Sequence, residues 1–389
     1  MDIDELVTSE PIIIAVEAKT KPIFTLTDEQ AKVVDTLVDW ASDKKQTTTE
    51  KSVGGFAGVG KTITIKAIID KLNLTDLSVA VASFTGKAVS VLKQKGISRA
   101  QTLHSLLYNF DAVTKEFRLV PELTCDVVFV DEASMVNRAL YNDLLRFKKK
   151  LIWVGDMGQL EPIGDNPNLM ARPDLVLTKI HRQAALSPII QFSKILREGQ
   201  PYGYGCIPPI CPEGEKPQLE IVGYNYYSNY IYSCDQIICA FNKTRHGINR
   251  LLRDNKGYTA QLEVGDRVIC LKNNNKVGVY NGLVCTVERI VDDFGKTYIC
   301  DLIDEVGTKY TDICMYKAQF GENKIDDMGV SSKSSITYWD YGYCITCHKA
   351  QGSEWSEVVV IEEASTLWDM RRWSYTAATR ASKRLVYCR

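Results

Sequence analysis

The chain has 389 residues, of which 45% are hydrophobic and 24% are charged. This composition is typical of a globular protein and excludes an intrinsically disordered chain, and the length favours at least two domains. Lysine and arginine number 47 against 48 aspartate and glutamate, so no global positive field attracts a polyanion. Any nucleic-acid contact therefore has to come from a local groove.

The first 21 residues are polar and aperiodic apart from a short apolar patch at 12–16, and we expect a loosely attached arm. The patch is far shorter than the ~20 residues that cross a bilayer. Twelve cysteines are scattered, several of them in apolar runs. We therefore expect free thiols, a cytoplasmic location and no membrane partner.

From Thr27 onward, helical and strand-like patterns alternate. Apolar residues at Val34, Leu37, Val38 and Ala41 have the spacing of an amphipathic helix that Thr27 is placed to cap. Short β-branched runs between helical stretches follow at 77–83, 126–130 and 151–154. This alternation predicts βαβ units and a parallel sheet.

Two segments interrupt the alternation. Residues 108–120 contain two strand-like runs around a polar turn, which predicts a β-hairpin insert. Residues 266–310 contain short strands and turns, and Asn281-Gly282 predicts a tight hairpin. A glycine- and proline-rich crossover is expected at 199–216, and α/β patterns resume at 236–241, 343–346, 358–361 and 385–387.

The most specific motif runs from Gly55 to Lys61-Thr62 and fits G-x-x-x-x-G-K-[ST] between a strand-like run and a helical run. In such a loop backbone N–H groups surround phosphate oxygens, lysine meets the β and γ charge, and threonine ligates Mg²⁺. The predicted nucleotide-binding residues are Gly58, Val59, Gly60, Lys61 and Thr62. The sequence therefore predicts that ATP and Mg²⁺ bind here.

An apolar strand-like run ends in Asp131-Glu132. At the carboxyl end of a strand, Asp131 is placed to hold Mg²⁺ and Glu132 to polarise an attacking water. A solvated acidic turn is the alternative. Phosphoryl transfer also needs positive charge on the γ-phosphate, and Arg182 and Arg380, both beyond the first α/β unit, are the candidates. Either arginine could instead be a surface ion-pair residue.

Taken in order, the motifs resemble those of the superfamily 1 helicases of the 5′-to-3′ subclass, and among them the Dda-type and RecD-type enzymes. The similarity covers about 24–389. It rests on the series LTDEQ, GFAGVGKT, SFTGKAV, QTLHSLL, VDEAS, GDMGQLEPIG, LTKIHRQ, ITCHKAQGSEW and YTAATRA. The ordered set is far more specific than any single member.

The resemblance implies roles for further residues. Gln30 would read the adenine, which is compatible with a capping box formed with Thr27. Gln159 would couple the γ-phosphate to the strand, and Glu354 would approach the ribose. Residues that would contact the strand backbone are Thr85, Lys87, Thr102, His104, Thr346 and His348. A structural role is the alternative for each of them.

In the family's layout the 108–120 hairpin is a strand-separating pin, with Phe110 or Phe117 able to stack on the last base pair. The β-rich insert corresponds to an SH3-like barrel. The chain departs from the family pattern at Phe84, where relatives commonly have proline, and near Glu161, where they have proline or a basic residue. These departures affect the strand contacts and leave the ATPase prediction unchanged.

The expected fold is therefore α/β, with two RecA-like P-loop domains that carry a β-hairpin and a small SH3-like β-barrel. The predicted divisions are an arm at 1–21, domain 1A at 22–175, domain 2A at 176–260 and 340–389, and domain 2B at 261–339. Sequence alone leaves the oligomeric state open, and a monomer is expected.

The expected function is that of an ATP-dependent DNA helicase that translocates on single-stranded DNA and unwinds duplex in replication, recombination or repair. Expected partners are single-stranded DNA and single/double-strand junctions, with a single-strand-binding protein or a replisome component. A phage origin, and so a host-cell cytoplasm, follows from the Dda-type resemblance alone. Two alternatives stay open, a P-loop small-molecule kinase and a nucleic-acid-binding ATPase without unwinding activity.

The pin hypothesis predicts that Phe117→Ala reduces unwinding more than translocation, because base stacking on an aromatic ring contributes roughly 1 to 3 kcal/mol and is needed only at the junction. Strand-displacement and translocation assays on the same preparation measure the two rates. Equal loss of both rates would remove the pin role.

Overall fold

The computed structural model describes residues 26–111, 116–161, 164–180, 186–203, 216–274, 276–305, 307–322 and 335–389. The predicted arm, Arg182 and most of the predicted crossover lie outside these ranges. Across the described ranges, no helix combines the length and the apolar character that a membrane crossing requires. The ten cysteines within them are free thiols.

The helices are α1 (Asp28–Ser42), α2 (Lys61–Leu72), α3 (Gly86–Gln94), α4 (Leu103–Leu107), α5 (Arg138–Leu145), α6 (Pro188–Glu198), α7 (Asn242–Asn255), α8 (Cys347–Ala350) and α9 (Met370–Ala378). The strands are β1 (Glu50–Gly55), β2 (Val79–Ser83), β3 (Gln101–Thr102), β4 (Tyr108–Asp111), β5 (Glu116–Leu119), β6 (Val127–Asp131), β7 (Lys150–Gly155), β8 (Leu175–Leu177), β9 (Leu219–Val222), β10 (Gln236–Cys239), β11 (Arg267–Cys270), β12 (Val284–Phe294), β13 (Thr297–Asp304), β14 (Lys309–Tyr316), β15 (Ile336–Thr337), β16 (Trp339–Tyr341), β17 (Cys344–Thr346), β18 (Trp355–Ile361) and β19 (Ala381–Cys388).

The first α/β unit is a parallel sheet in the order β3-β2-β6-β7-β1-β8. Its central strands β6 and β7 are apolar and buried except at one end residue each, Asp131 and Lys150, because helices cover both faces. Helix α1 begins with the predicted capping box between Thr27 and Gln30, and it buries Val33, Val34 and Leu37. The predicted parallel sheet is confirmed.

A second parallel sheet follows in the order β17-β10-β18-β19-β9. Helices α6 and α9 pack on it through Phe192 and Trp373, whose side chains are fully buried. The resumed α/β patterns of the sequence fall on β10, β17, β18 and β19. The predicted strand starts and ends differ from the observed ones by up to four residues, because hydrophobic periodicity marks an element and fixes its ends poorly.

A third sheet has the order β15-β14-β13-β12-β11-β16 and is antiparallel except at the β14–β15 pair. Strands β12 and β13 are joined by a turn at residues 295–296. The tight hairpin predicted at Asn281-Gly282 is wrong. Leu283 N–H donates to the Tyr280 carbonyl, and Gly282 has a φ of 87°, so these residues form a turn that ends a longer connection from β11.

Strands β4 and β5 form a separate antiparallel pair between α4 and β6. Its base is fixed to the first unit, since the Tyr108 hydroxyl donates to Asp143 of α5 and the Val120 N–H donates to the Leu107 carbonyl. The pair therefore projects from a rigid support.

Candidate nucleotide and nucleic-acid site

The phosphate loop follows β1 and ends where α2 begins. Gly58 and Gly60 have φ values of 83° and 81°, a left-handed region that glycine adopts without steric cost. Lys61 Nζ donates to the carbonyl oxygens of Gly55 at 2.8 Å and Phe56 at 3.0 Å. The lysine ammonium group therefore lies over its own loop, with backbone acceptors where phosphate oxygens would bind.

Two carboxylates end strand β6 beside this loop. Glu132 has a φ of 54°, which is uncommon for a residue other than glycine and occurs preferentially at functional sites. Burial raises the pKa of Asp131, against the effect of the nearby Lys61 charge. Burial and the Asp131 carboxylate raise the pKa of Glu132 to about 7, against the effects of Arg380 and Lys61. The charged neighbours of Glu132 are two acids, Asp131 and Asp156, and two cations, Arg380 and Lys61, which leaves one uncompensated negative charge when all five groups are ionised.

This excess charge fits a bound Mg²⁺. The cation prefers hard oxygen ligands, and the Thr62 hydroxyl and Asp131 carboxylate are oxygen donors at the start of α2 and the end of β6. A divalent cation between them would offset the repulsion that raises the pKa of Glu132.

Asp156 belongs to this site, and the sequence analysis missed it. It follows β7, is 1% exposed, and accepts hydrogen bonds from Gly158 N–H at 2.9 Å and the Tyr375 hydroxyl at 2.8 Å. Lys61 Nζ lies 3.5 Å from the same carboxylate. The signal was available, because Asp156 ends an apolar strand as Asp131 does.

Tyr375 of α9 is the second residue that sequence reasoning missed. Its hydroxyl donates to Asp156 and accepts from Ala57 N–H of the phosphate loop at 2.7 Å. Its ring lies edge-on to Phe56, and the Arg197 guanidinium of α6 stacks 3.6 Å from the centre of that Phe56 ring. The second α/β unit is therefore bonded directly to the phosphate loop.

Arg380 lies on this seam. It is 6% exposed, and its guanidinium donates to the carbonyl oxygens of Thr376 and Ser353 and to the Thr379 hydroxyl. These partners belong to the second unit, and the Arg380 charge opposes the rise in the pKa of Glu132 in the first unit.

The other predicted arginine, Arg182, lies outside the described residues. The chain leading to it is held at α1, because Thr178 and Lys179 donate backbone N–H groups to the Glu29 carboxylate. No position is assigned to the Arg182 side chain.

Residues 156–161 lie in the first unit after β7 and make contacts to the second unit. Gln159 is 4% exposed, and its side-chain oxygen has no hydrogen-bond partner within the described ranges. Its carbonyl accepts from Arg372, while Leu160 N–H donates to the Thr376 hydroxyl and Leu160 carbonyl accepts from Gln351. We call residues 156–161 the connecting loop.

Gln30 and Glu354 lie in different surroundings. Gln30 Nε2 donates to the Val59 carbonyl at 3.1 Å, and its side-chain oxygen accepts from Thr27 N–H. The capping and phosphate-loop contacts coexist, and the adenine contact of Gln30 stays a prediction. Glu354 is exposed between α8 and β18, next to Ser353.

The predicted strand contacts fall into two groups. Thr85 and Thr102 cap α3 and α4 through their hydroxyls, and the His104 ring packs between Phe84 and Tyr108. Thr346 and His348 line a cavity of about 1180 Å³ where the two α/β units meet the third sheet. Phe84, the departure from the family pattern, lines the same cavity, and the Phe117 side chain lies outside the described residues.

Lys87 forms an ion pair with Glu305, next to the third sheet. Its Nζ donates to the Glu305 carboxylate at 2.9 Å, and Glu305 also accepts from Arg267 and from the Trp355 indole. In this structure Lys87 therefore pairs with the third sheet, and a strand phosphate would have to replace Glu305.

Comparisons with known proteins agree with this arrangement. The family described as AAA domain matches residues 25–204, and the family described as UvrD-like helicase C-terminal domain matches residues 341–387. The chain is 28% identical over 382 residues to the ATP-dependent RecD2 DNA helicase of Deinococcus radiodurans. That alignment covers 92% of this chain and 48% of the relative.

Solved structures of Pif1 helicases share the fold. One is the Pif1 helicase from Bacteroides in complex with ADP-AlF3 and ssDNA, with a TM-score of 0.57, 18% identity, and coverage of 94% of this chain and 92% of that chain. Another, from work on DNA unwinding at forked dsDNA by two coordinating Pif1 helicases, has a TM-score of 0.57 at 19% identity with the same coverage.

The fold and the site define an α/β P-loop protein whose parallel sheets match the fold of the Pif1 helicases. The resemblance to superfamily 1 helicases of the 5′-to-3′ subclass is confirmed. The chain spans about half the length of the curated RecD2 relative that it matches.

The seam geometry predicts that Tyr375→Phe loosens the phosphate loop. The variant loses the hydroxyl that links Ala57 N–H to Asp156, and an unsatisfied buried polar group costs about 1 to 3 kcal/mol. Hydrogen–deuterium exchange of the peptide containing residues 55–60 should be faster than in the wild type. Tyr141→Phe, whose hydroxyl donates to Glu50 away from the loop, is the matched control. Unchanged exchange in Tyr375→Phe would show that the seam contact does not order the loop.

Proposed function

We propose that the protein is an ATP-dependent DNA helicase that moves along single-stranded DNA and opens duplex at single/double-strand junctions. The observation that carries the proposal is the seam, where Tyr375 and Arg380 of the second unit face Lys61 and Glu132 of the first. A nucleotide bound there changes the fit of two units, which is what a motor requires.

ATP is the substrate, with Mg²⁺ as cofactor. The amides of residues 58–62 and the Lys61 ammonium bind the phosphates, and Lys61 exchanges its carbonyl partners for phosphate oxygens. Mg²⁺ at Thr62 and Asp131 neutralises phosphate charge when bound. Glu132 accepts a proton from the attacking water. Arg380, with Arg182 as the second candidate, supplies positive charge to the γ-phosphate, while Gln30 contacts the adenine, Glu354 the ribose and Gln159 the γ-phosphate.

Single-stranded DNA binds in the cavity and at the N-terminal ends of α3 and α4. Its contacts are Thr85, Lys87, Thr102, His104, Thr346 and His348. Backbone contacts of this kind hold a strand without reading its sequence. The β4–β5 pair acts as the strand-separating pin with Phe117 at the junction, and the third sheet is an SH3-like barrel that closes over the strand.

The chain is divided into an arm and three domains. The units are domain 1A at 22–175, 2A at 176–260 and 340–389, and 2B at 261–339, preceded by an arm at 1–21. Translocation runs 5′ to 3′, in a monomer that works in the cytoplasm, or the host cytoplasm if phage-encoded, during replication, recombination or repair. A single-strand-binding protein or replisome component is the protein partner.

The two alternatives make different predictions. A small-molecule kinase needs an acceptor pocket at the γ-phosphate, whereas Tyr375, Arg380 and the connecting loop occupy that side of the seam. A DNA-binding ATPase without unwinding activity shares every residue of the site. An unwinding assay with 5′-tailed and 3′-tailed duplexes separates this alternative and also gives the polarity.

ATP turnover by the wild-type protein should be low alone and rise strongly with single-stranded DNA. Lys61→Ala should reduce turnover by at least roughly 10²-fold, the loss usual for one transition-state donor, and should leave strand binding intact. Steady-state phosphate release and fluorescence anisotropy measure the two properties, with Lys44→Ala on the surface after α1 as the control. Turnover that ignores single-stranded DNA would remove the motor hypothesis.

Because the pKa of Glu132 is raised to about 7, the rate of ATP turnover should decrease at acidic pH. Glu132 has to be deprotonated to accept a proton, so kcat/KM for ATP should fall as the pH decreases below about 7, because this quantity reports the free enzyme. Glu132→Gln should lose turnover at every pH, while the surface variant Glu122→Gln keeps the wild-type profile. A flat wild-type profile between about pH 6 and pH 8 would contradict the assignment of Glu132 as the base.

A further inference from the structure

The cavity lies at the ends of strands from both parallel sheets. Strand β2 leads to Phe84, β10 leads to Phe241 and β17 ends at Thr346, and all three residues line it. Ligands of α/β proteins bind at the carboxyl ends of parallel strands. Its volume of about 1180 Å³ is large enough for a ligand, because ligand pockets usually measure roughly 300 to 1,000 Å³.

One wall of the cavity is aromatic. Trp368, in the segment between β18 and α9, lies 5.5 Å from Phe241 and 5.6 Å from His348 between ring centres. The interplanar angles are 42° and 72°, so neither neighbour stacks flat on the indole. The indole N–H of Trp368 is screened from solvent and has no acceptor within the described ranges. Buried indole N–H groups usually have a partner, so this one suits an acceptor that arrives with a ligand.

The charged groups around this wall are mostly paired. Arg245 pairs with Asp340 at 2.5 Å, and Arg372 pairs with Glu161 at 3.3 Å. Asp369 caps α9 by accepting from Arg371 N–H. These groups neutralise one another, and they are already bonded without a ligand.

Lys349 differs from these cations. Its Nζ donates to the Asn281 side chain at 3.0 Å, and among the described residues no carboxylate lies within 4.0 Å of it. Burial lowers the pKa of Lys349, in keeping with an ammonium group that has no carboxylate partner at ion-pair distance among the described residues. An anion in the cavity would compensate it.

We propose that this cavity holds one nucleotide of single-stranded DNA, with the base against Trp368 and the phosphate at Lys349. The inference rests on the proposed function and adds two residues that the motif comparison did not assign. An aromatic face beside a cation that no carboxylate neutralises is the usual arrangement for binding a strand without sequence preference. Trp368 and Lys349 are thus binding residues, and Asn281 positions the Lys349 ammonium group.

The two contacts have different physical signatures, and each has its own variant. Trp368→Ala should weaken binding of a fluorescein-labelled oligothymidylate by about 5-fold to 150-fold, which corresponds to ~1 to 3 kcal/mol for one stacked base. It should leave the salt dependence unchanged. Trp368→Phe keeps a ring and should retain most of the affinity.

Lys349→Gln should lower the slope of log K against log salt concentration by about 0.7, the value for one phosphate contact on a single strand. Lys383→Gln removes an exposed charge elsewhere on the second unit and should keep the wild-type slope. Tyr232→Ala, at a tyrosine that is 51% exposed, is the matched control for loss of an aromatic ring.

Anisotropy titrations at several salt concentrations test all five variants, with circular dichroism to verify folding. If Trp368→Ala does not fold, Trp368→Leu replaces it, because leucine keeps apolar bulk and removes the stacking ring. Wild-type affinity in the folded ring-less variant, or a wild-type slope in Lys349→Gln, would overturn the inference while the helicase proposal stands. A wild-type protein that fails to bind the oligonucleotide would instead overturn the proposed function.

Discussion

A single buried carboxylate, that of Asp156, is shared between the two α/β units, and the geometry of the nucleotide site depends on it. Removing a charge from water is costly unless it is paired and hydrogen-bonded. Asp156 meets that requirement with partners from both units, Lys61 and Gly158 on one side and Tyr375 on the other. Tyr375 makes the bond across the seam, and the carboxylate that accepts from it also lies 3.5 Å from the lysine that a triphosphate would need. Triphosphate oxygens and Asp156 would therefore compete for one ammonium group.

The connecting loop extends this competition to the strand side. It begins at Asp156 beside the phosphate loop, and Leu160 and Glu161 at its other end line the cavity. Arg372 holds both the Gln159 carbonyl and the Glu161 carboxylate, and it lines the cavity as well. A shift of the loop when Lys61 changes partners would alter the cavity wall directly. The physical route between the two sites is thus a few bonded residues long.

Glu305, which follows β13 of the third sheet, bonds to both α/β units. Its carboxylate accepts from Lys87 of α3, Arg267 of β11 and the indole of Trp355, so one carboxylate joins the third sheet to the first and second units. At α3 the approach is close, because a Cβ on Gly86 would lie 2.3 Å from the Tyr280 ring. Only glycine permits this contact. A strand phosphate at Lys87 would have to displace Glu305, so strand entry and the position of the third sheet are linked electrostatically.

The sequence by itself determined the phosphate loop, the two acids at the end of β6 and the parallel character of the first sheet, because these depend on local spacing and on apolar runs. It also placed the capping box of Gln30, since Thr27 and Gln30 lie within one helical turn. The place of Asp156 at the end of an apolar strand was a local signal, but its bond to Tyr375 and the Glu305 contacts were decided by tertiary structure alone. The bonded partners are far apart in sequence, 219 positions for Tyr375 and Asp156, and no local pattern marks the contacts. The failed hairpin at Asn281-Gly282 has the same cause, since pairing of Leu283 with Cys270 of β11 decided the register there.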